Sequence, residues 1–388
     1  MKYYLIAGEA SGDLHGANLM KGLLKSDPQA EFRFWGGDRM AAVGGRQGLA
    51  KHYRDASFFG IGEIVRNLRT VLSQIEECKR DVAAYAPDVL ILIDYPGFNF
   101  RMARFAHESG LCKVFYYISP KVWAWKERRV KRIRQWVDQL FIIFPFEIDY
   151  FAKRGIRAIY EGNPLMDAIA ERCAAMPSRE EFLRANGLED RPTIALLAGS
   201  RRSEVRNNLP FMVELAGRMP DFQFVLAAVS WLDRSLYDQL LAGSAIRVVC
   251  DKTYEALRYA DAAVVTSGTA TLETALIGTP EVVCYKTDAL TVAAGRMLLK
   301  IPYISLVNLV MNREVVRELI QNDMTVENAE SELRAILPGG ARHDRMEADY
   351  ARLREVIGGA GASDRFAARM VAILRGEEPT DRQQRNER

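Results

Sequence analysis

Short apolar runs alternate with longer helical patterns along most of this chain, and that alternation limits the fold more than any other feature. In the first half the apolar runs are Tyr3–Ala7, Val89–Ile93, Val114–Ile118 and Leu140–Phe144. Continuous apolar runs of this length are typical of strands that are buried on both faces of a parallel sheet. Apolar residues at three- and four-residue spacing in Ala17–Leu24 and Ile64–Tyr85 predict helices that cover the sheet.

The same alternation resumes after a segment that contains Pro164 and Pro177. Its apolar runs are Thr193–Ala198, Phe222–Val229, Ile246–Val249, Ala262–Val265 and Val282–Tyr285. We therefore predict two doubly wound α/β domains, over residues 1–165 and 166–345. In residues 346–388 we expect a helix that packs back on the first domain, followed by a frayed polar tail. Two facing parallel sheets create a cleft at the carboxyl ends of their strands, where ligands bind.

The overall composition excludes several classes of protein. Lys and Arg total 53 against 50 for Asp and Glu, so a nucleic-acid partner is not expected. The five cysteines are scattered and form no CxxC pair, which argues against a disulfide framework and a zinc site and favours a reducing cytosol. We see no signal-peptide pattern and no uncharged run near the roughly 18 residues of a membrane helix. Any membrane contact is therefore expected to be peripheral.

Two loops of the second predicted domain have the composition of anion sites. In "LAGSRRSEV", Gly199 and Ser200 form a tight turn after a strand, and Arg201 stands where a helix begins. Backbone amides, the helix dipole and a guanidinium together favour a phosphate. An ordinary turn with solvated arginines is the alternative.

The second loop lies in "VVTSGTATLETAL", where a strand gives way to small residues before a helix. These small residues are Ser267, Gly268, Thr269, Ala270 and Thr271. The glycine allows a ligand close to the backbone, the hydroxyls can donate to a diphosphate, and Glu273 can accept from ribose hydroxyls. A plain helix cap explains one such loop equally well. Two of them on one sheet predict a nucleotide diphosphate.

The first predicted domain offers candidate bases. In "VLILIDYPGFNF", five apolar residues lead into Asp94, with Asn99 nearby. Burial would raise the pKa of Asp94 and suit it to accept a proton from a hydroxyl nucleophile. A role in bracing the loop is the alternative. His15, in the first turn after Asp13, is the rival base; otherwise it orients the loop that holds Glu9.

Eight motifs occur in the order typical of lipid-A-disaccharide synthases. They are "AGEASGDLHGANL", "IDYPGFN", "YYISPKVWAWKERRVKRI", "FPFE", "GNPLMD", "LAGSRRSEV", "TSGTATLETAL" and "LVNLVMNREVVRELIQ". The chain resembles that family from about Lys2 to about Gln321. The resemblance implies an inverting glycosyltransferase of the GT-B superfamily that uses no metal or cofactor. It would join UDP-2,3-diacylglucosamine to 2,3-diacylglucosamine 1-phosphate, giving UDP and the β-1,6 disaccharide 1-phosphate of lipopolysaccharide biosynthesis.

The resemblance also implies roles for single residues. It makes the first domain the acceptor side and the second the UDP-sugar side. The family's functional residues fall on Glu9, Ser11, Asp94, Arg201 and Glu273. Three positions depart from the family pattern, with consequences left open: Asn163 in "GNP", Val307 in "LVN" and Arg317 in "REL". A neutral amide at residue 163 excludes proton transfer by a histidine there.

If the acceptor is acylated, two further segments are candidate contacts for it or for the membrane. The candidates are Phe58 and Phe59 as an apolar patch, and Lys121, Trp123, Lys126 and Arg128 as contacts for a sugar 1-phosphate and anionic headgroups. Such contacts predict a cytoplasmic protein bound peripherally to the inner membrane. Core packing and a solvated basic helix are the alternatives. Whether the protein forms a homodimer is left open.

Two other functions fit the same motifs. One is a different nucleotide-sugar enzyme of this architecture, such as a UDP-N-acetylglucosamine 2-epimerase or a peptidoglycan N-acetylglucosaminyltransferase, which would not depend on an acylated substrate. The other is a non-catalytic protein that binds a nucleotide sugar or a phospholipid. That protein would keep the Gly199 and Gly268 loops without needing Asp94.

Overall fold

The computed structural model describes residues 1–56, 68–120, 122, 128–286 and 302–386. The chain divides into two compact units, one made of Met1–Ala168 with Gly358–Arg388 and the other of Ile169–Ile357. The second unit thus runs past the predicted boundary at residue 345. The reason is the helix His343–Ile357, which buries four apolar or aromatic side chains in that unit, namely Met346, Tyr350, Leu353 and Ile357.

The first unit contains a parallel sheet in which the described strands have the order β3-β2-β1-β4-β5-β6-β7. The strands are β1 (Lys2–Ala7), β2 (Glu31–Gly36), β3 (Leu49–His52), β4 (Val89–Ile93), β5 (Lys113–Tyr117), β6 (Gln139–Ile142) and β7 (Ala158–Tyr160). The helices are α1 (Ala10–Ser26), α2 (Asp38–Gly44), α3 (Tyr53–Ala56), α4 (Leu68–Tyr85), α5 (Pro96–Ser109), α6 (Arg128–Trp136) and α7 (Phe146–Ala152), with a 3-10 turn at Arg46–Gly48. Helix α8 (Leu165–Ala174) begins in this unit and continues past Ala168 into the second.

Both faces of this sheet are covered, as its continuous apolar strands predict. Tyr3 and Leu5 of β1 enter the core on one face, and Tyr4 and Ile6 enter the core on the other. All four side chains are at most 1% exposed. The alternation of successive side chains across the strand therefore supplies two separate cores from one run of apolar residues.

The second unit contains another parallel sheet, with the order β10-β9-β8-β11-β12-β13 among the described strands. Its strands are β8 (Thr193–Leu197), β9 (Gln223–Ala228), β10 (Arg247–Cys250), β11 (Ala262–Thr266), β12 (Glu281–Tyr285) and β13 (Arg317–Ile320). Its helices are α9 (Arg179–Asn186), α10 (Arg202–Arg218), α11 (Arg234–Leu240), α12 (Thr253–Arg258), α13 (Thr269–Ile277), α14 (Leu306–Met311), α15 (Val326–Ile336) and α16 (His343–Ile357), with a 3-10 turn at Gln321–Asp323.

The chain then returns to the first unit through α17 (Ala362–Leu374) and α18 (Asp381–Asn386). Helix α17 packs against α1, and its Phe366 and Met370 join the core that contains Tyr3. The two helices approach closely at Gly22, where an added Cβ would lie 2.9 Å from the Cβ of Ala367.

The expectation of a frayed polar tail is wrong for the described residues up to 386. Asp381 is only 4% exposed and accepts a hydrogen bond from the amide of Arg157 at 2.9 Å. The amide of Asp381 donates to Oε1 of Gln139 at 2.8 Å, and Arg382 forms an ion pair with Asp138 at 3.0 Å. Polar residues order this tail because they meet the exposed ends of strands β6 and β7.

Candidate functional site

In each unit the predicted site residues follow the two strands at which the strand order reverses. In the first sheet these strands are β1 and β4, with Ala7 opposite Ile93. In the second sheet they are β8 and β11, with Leu197 opposite Val265. Successive connections leave to opposite sides at such a point and open a crevice at the carboxyl ends of the strands, where ligands bind in open α/β sheets.

The turn after β4 holds Asp94 in an unusual conformation. Asp94 and Tyr95 have φ values of +43° and +44°, a region that non-glycine residues seldom adopt. The Asp94 carbonyl accepts hydrogen bonds from the Tyr116 hydroxyl at 2.6 Å and from Nδ2 of Asn99 at 2.8 Å. Asn99, expected at the acceptor, is fully buried and also donates to the Ile93 carbonyl. In this structure its amide group braces the turn.

The Asp94 side chain, half-buried at the strand end, lies within electrostatic reach of a cation that the sequence analysis did not single out. Burial lowers the pKa of Arg129 on α6, and the negative charge of Asp94 acts in the opposite direction. Burial, with a smaller contribution from Asp94, raises the pKa of Tyr116 far above its usual range. Arg129 is one of several cations in a long basic run, so only its position in the folded structure distinguishes it from the others.

The loop after β1 adjoins this turn. The Ser11 hydroxyl donates to Oε1 of Glu9 at 2.7 Å, and both residues are accessible at the start of α1. The ring of Tyr95 lies over Gly8, where an added Cβ would come within 2.3 Å of its Cδ1. Burial and the charge of Glu9 raise the pKa of Tyr95. The loops that hold Glu9, Ser11 and Asp94 are therefore neighbours.

His15 is held as a neutral side chain. Burial lowers its pKa to about 4, although the negative charge of Asp167 acts in the opposite direction. Its Nδ1 is buried and has no hydrogen-bond partner among the described residues. At neutral pH the imidazole can accept a proton, but a pKa of about 4 makes it a base no stronger than an ordinary carboxylate.

The loop after β8 contains an internal anion. Oε2 of Glu204 accepts hydrogen bonds from the amides of Ser200 at 3.0 Å and Arg201 at 3.2 Å, and its Oε1 accepts from Nη1 of Arg201 at 3.0 Å. Gly199 has φ +109°, and an added Cβ would lie 2.5 Å from Cβ of Glu204. The amides expected to bind phosphate thus already have an acceptor. The Arg201 guanidinium, 71% exposed, is the accessible donor of this loop.

The loop after β11 is open. Gly268 and Thr269 are exposed, and an added Cβ on Gly268 would have no neighbour closer than 4.0 Å. The hydroxyl of Thr271 donates to the Gly268 carbonyl at 3.0 Å, and that of Ser267 donates to the Ile304 carbonyl at 3.1 Å. Those two hydroxyls brace the loop. Gly268, Thr269 and Ala270 form the accessible amino end of α13, which suits an anion.

Glu273 stands one turn further along α13, and a second residue holds it. The Tyr254 hydroxyl donates to Oε1 of Glu273 at 2.8 Å. Burial raises the pKa of Glu273, and the bond from Tyr254 opposes that shift. The sequence analysis missed Tyr254, because a single tyrosine in the segment after β10 carries no motif that points to α13.

The three departures from the family pattern fall in structural positions. Asn163 is buried, donates to the Ile143 carbonyl at 3.0 Å and accepts from the amide of Leu165 at 2.9 Å. Val307 is buried beside Asn308, whose Nδ2 donates to Glu318 at 2.9 Å. Arg317 is an exposed neighbour of Glu318 in β13. Asn163 therefore braces the backbone itself, whereas Val307 and Arg317 are sequence neighbours of the bonded pair Asn308 and Glu318.

The proposed lipid contacts lie mostly outside the described residues, namely Phe58, Phe59, Lys121, Trp123 and Lys126. Arg128 is the first residue of α6. That helix buries Val130 and Ile133 and exposes its cations Lys131, Arg132 and Arg134. Among the helices of the described ranges, none combines the length and apolar character that a bilayer crossing requires.

Similar folds occur in enzymes that handle nucleotide sugars. The UDP-GlcNAc 2-epimerase from Neisseria meningitidis bound to UDP-GlcNAc aligns with 96% of this chain and 100% of its own, at a TM-score of 0.68 and 14% identity. The kitacinnamycin glycotransferase aligns with 96% and 99% of the two chains, at a TM-score of 0.62 and 15% identity. At these identities the likeness concerns the fold alone, and it confirms the predicted GT-B type.

The sequence comparisons are more specific. The lipid-A-disaccharide synthase of Syntrophus aciditrophicus is 39% identical over 379 residues, which cover 96% of this chain and 97% of the relative. That of Geobacter metallireducens is 38% identical and covers 95% and 96%. The family model described as lipid-A-disaccharide synthetase matches residues 3–367. This chain therefore belongs to the lipid-A-disaccharide synthase family of glycosyltransferases.

Proposed function

We propose that the protein transfers the sugar of UDP-2,3-diacylglucosamine to the 6-hydroxyl of 2,3-diacylglucosamine 1-phosphate with inversion. The products are UDP and the β-1,6-linked disaccharide 1-phosphate. Family membership supports lipid A disaccharide synthesis. The observation that carries the donor assignment is the pair of loops at the switch point of the second sheet, which present Arg201 and the open amino end of α13.

The donor diphosphate would contact Arg201 together with Gly268 and Thr269. A guanidinium and backbone amides can stabilise the negative charge that develops on departing UDP. Glu204 contributes indirectly, because its bond to Nη1 limits the orientations of the Arg201 side chain. Glu273, oriented by Tyr254, is suited to accept hydrogen bonds from ribose hydroxyls.

The acceptor would be activated by residues of the first unit. A base removes the proton of the 6-hydroxyl, its oxygen forms a bond to the anomeric carbon, and the bond from that carbon to the diphosphate breaks with its electron pair leaving on UDP. We assign the base to Asp94, with His15 as the rival. Burial lowers the pKa of His15 to about 4, which removes the advantage that an imidazole normally has near neutral pH.

The exposed cations of α6 support contact with anionic groups. Lys131, Arg132 and Arg134 face away from the buried Val130 and Ile133. We propose that this face meets lipid headgroups at the cytoplasmic side of the inner membrane. Attraction of this kind amounts to about 1 kcal/mol for each cation near an anionic surface.

The decisive experiment mixes the purified protein with both acylated sugars in detergent and detects UDP and disaccharide by mass spectrometry. We expect the wild type to form disaccharide, and Asp94→Asn to reduce turnover by about 100-fold or more, because general-base catalysis typically contributes 10²–10⁴-fold. His15→Ala should retain most of the activity.

Asp149→Asn is the matched control, since Asp149 is an exposed aspartate of the same unit. It should react as the wild type does. A wild type that releases no UDP and forms no disaccharide would overturn the proposed reaction. A normal rate for Asp94→Asn with a large loss for His15→Ala would move the base to His15.

A further inference from the structure

Trp231 is the most exposed large apolar side chain among the described residues, at 64%. It belongs to the loop after β9, in a protein whose other large side chains of that class are mostly buried. An exposed indole leaves a large apolar surface in contact with water, which is unfavourable. A single exposed aromatic residue needs no explanation by itself. For Trp231, however, the position in the fold and the hydrogen bond of the ring suggest why it is exposed.

The Trp231 ring is anchored to the proposed donor site. Its Nε1 donates a hydrogen bond to the Ser200 carbonyl at 3.0 Å, immediately before Arg201. The preceding residue is fixed as well, because the amide of Ser230 donates to Oδ1 of Asp251 at 3.1 Å. The polar edge of the indole is therefore satisfied by the protein while its apolar surface stays open to solvent.

The sheet order indicates which part of a nucleotide would meet this ring. The neighbouring strands are β10, β9, β8 and β11. Tyr254 follows β10 and holds Glu273, which follows β11, so the elements that carry the proposed ribose contact flank β9 and β8. Trp231 follows β9 and lies within that span. If the diphosphate binds at Arg201 and the ribose at Glu273, the nucleoside end of the ligand would be the part nearest to Trp231.

We propose that Trp231 stacks on the uracil base of UDP and forms one wall of the nucleotide subsite. This inference rests on the proposed donor site. A flat base is the part of a nucleotide sugar that best matches an exposed indole, because bases stack favourably on aromatic side chains. The bond from Nε1 to Ser200 couples this wall to the loop that carries Arg201.

The test measures UDP binding to the full-length protein by calorimetry at fixed salt. Trp231→Ala should bind UDP about tenfold more weakly, in line with the loss of one stacked base. Trp231→Phe keeps an aromatic ring and should stay within about threefold of the wild type. Inorganic pyrophosphate, which has no base, should bind Trp231→Ala and the wild type equally. UDP should quench tryptophan fluorescence in the wild type much more than in Trp231→Phe.

Arg201→Gln separates this inference from the proposed function. If Arg201→Gln loses UDP binding and Trp231→Ala does not, the stacking proposal is overturned and the donor site stands. Equal weakening of UDP and pyrophosphate by Trp231→Ala would also overturn it, since Trp231 would then act only by supporting the Ser200 loop. If the wild type does not bind UDP, or Arg201→Gln binds it normally, the proposed donor site itself fails.

Discussion

Three of the non-glycine residues with positive φ lie at the carboxyl edge of the first sheet. Asp94 and Tyr95 follow β4, and Ile118, with φ +63°, follows β5. A β-branched residue at positive φ is a clear outlier, and each such conformation costs about 1–3 kcal/mol. Hydrogen bonds from Tyr116 and Asn99 to the Asp94 carbonyl offset that cost. Asp94, the proposed base, thus belongs to a strained turn, and its dihedral angles as well as its side-chain chemistry motivate that proposal.

Glu281, the first residue of β12, contributes to the dependence of stability on pH. Glu281 is fully buried, neither carboxylate oxygen has a hydrogen-bond partner among the described residues, and burial raises its pKa well above the usual range. The folded state therefore holds a proton that the unfolded state releases above about pH 4.3. The contribution of Glu281 to stability therefore falls by about 1.4 kcal/mol for each pH unit above that value, until the folded-state pKa is passed.

Glu281→Gln removes this titration. We expect the variant to match the wild type near pH 4 and to have a higher thermal midpoint at pH 7–8, by several degrees. Melting curves across that pH range measure the difference. Glu214→Gln, at an exposed glutamate of α10, should leave the midpoint unchanged. An equal increase in the thermal midpoint at every pH would show that the titration of Glu281 is not the cause.

At the scale of elements, acids of the family motifs support the first turns of helices. Asp13 accepts from the amides of Gly37, Arg39 and Met40 at the start of α2. Asp167 does the same at the start of α17, whereas Glu204 caps the start of its own helix, α10. Amides in a first helical turn have no partner within the helix, so a carboxylate supplied from elsewhere is favourable. Several acids of these motifs therefore stabilise the starts of helices rather than offering their carboxylates to a ligand.

Asp167 tests this role. It receives hydrogen bonds from the amides of Gly361, Ala362 and Ser363 at 2.5, 3.2 and 2.8 Å. Asp167→Ala should lower the free energy of unfolding by about 1–2 kcal/mol, as the loss of a helix cap does. Asp167→Asn should retain most of this stabilisation, because an amide oxygen can still accept from the helix amides.

Denaturant titration followed by circular dichroism measures these differences. The control is Asp364→Ala, which removes an exposed acid of the same first turn that pairs with Lys25. It should cost less than about 1 kcal/mol. Equal losses at the two positions would refute the capping role of Asp167.

At the scale of the whole molecule, the first unit is discontinuous, because Gly358–Arg388 completes it after the chain has formed the second unit. In the returning segment, Phe366 and Met370 pack into the core of the first unit. Asp381 forms hydrogen bonds with Gln139 and with the amide of Arg157. The far end of the sequence is therefore needed for the unit that contains the proposed base.

Truncation of the chain after residue 379 should destabilise the first unit and leave the stability of the second unit unchanged. Removing Asp381 leaves Gln139, which is 1% exposed, without one partner, at a cost of about 1–3 kcal/mol. Hydrogen exchange measured by mass spectrometry should show faster exchange in β6 and β7 and unchanged exchange in β8 and β11. Unchanged exchange in β6 and β7 would mean that the tail contacts contribute nothing.

The sequence by itself determined the two parallel-sheet domains, because central strands buried on both faces need continuous apolar runs. Val89–Ile93 was predicted to the residue. The strands β2, β3, β7 and β13 were missed, since β2 mixes charged with aromatic residues and the other three are short strands at sheet edges. Such strands bury less surface and carry a weaker pattern.

The motifs also identified the loops of the candidate site, since small and acidic residues after a buried strand are a local signal. Only the tertiary structure decided what each polar group does. It showed that Glu204 occupies the amides expected for phosphate, that Tyr254 holds Glu273, and that Asn99 braces the Asp94 turn. Tyr254 and Glu273 lie 19 residues apart, and no local pattern links them. Glu204 and Asn99 bind groups within five residues along the chain. The sequence shows that such local bonds are possible, but not whether the loop amides and the Asn99 side chain bind their own loop or a ligand.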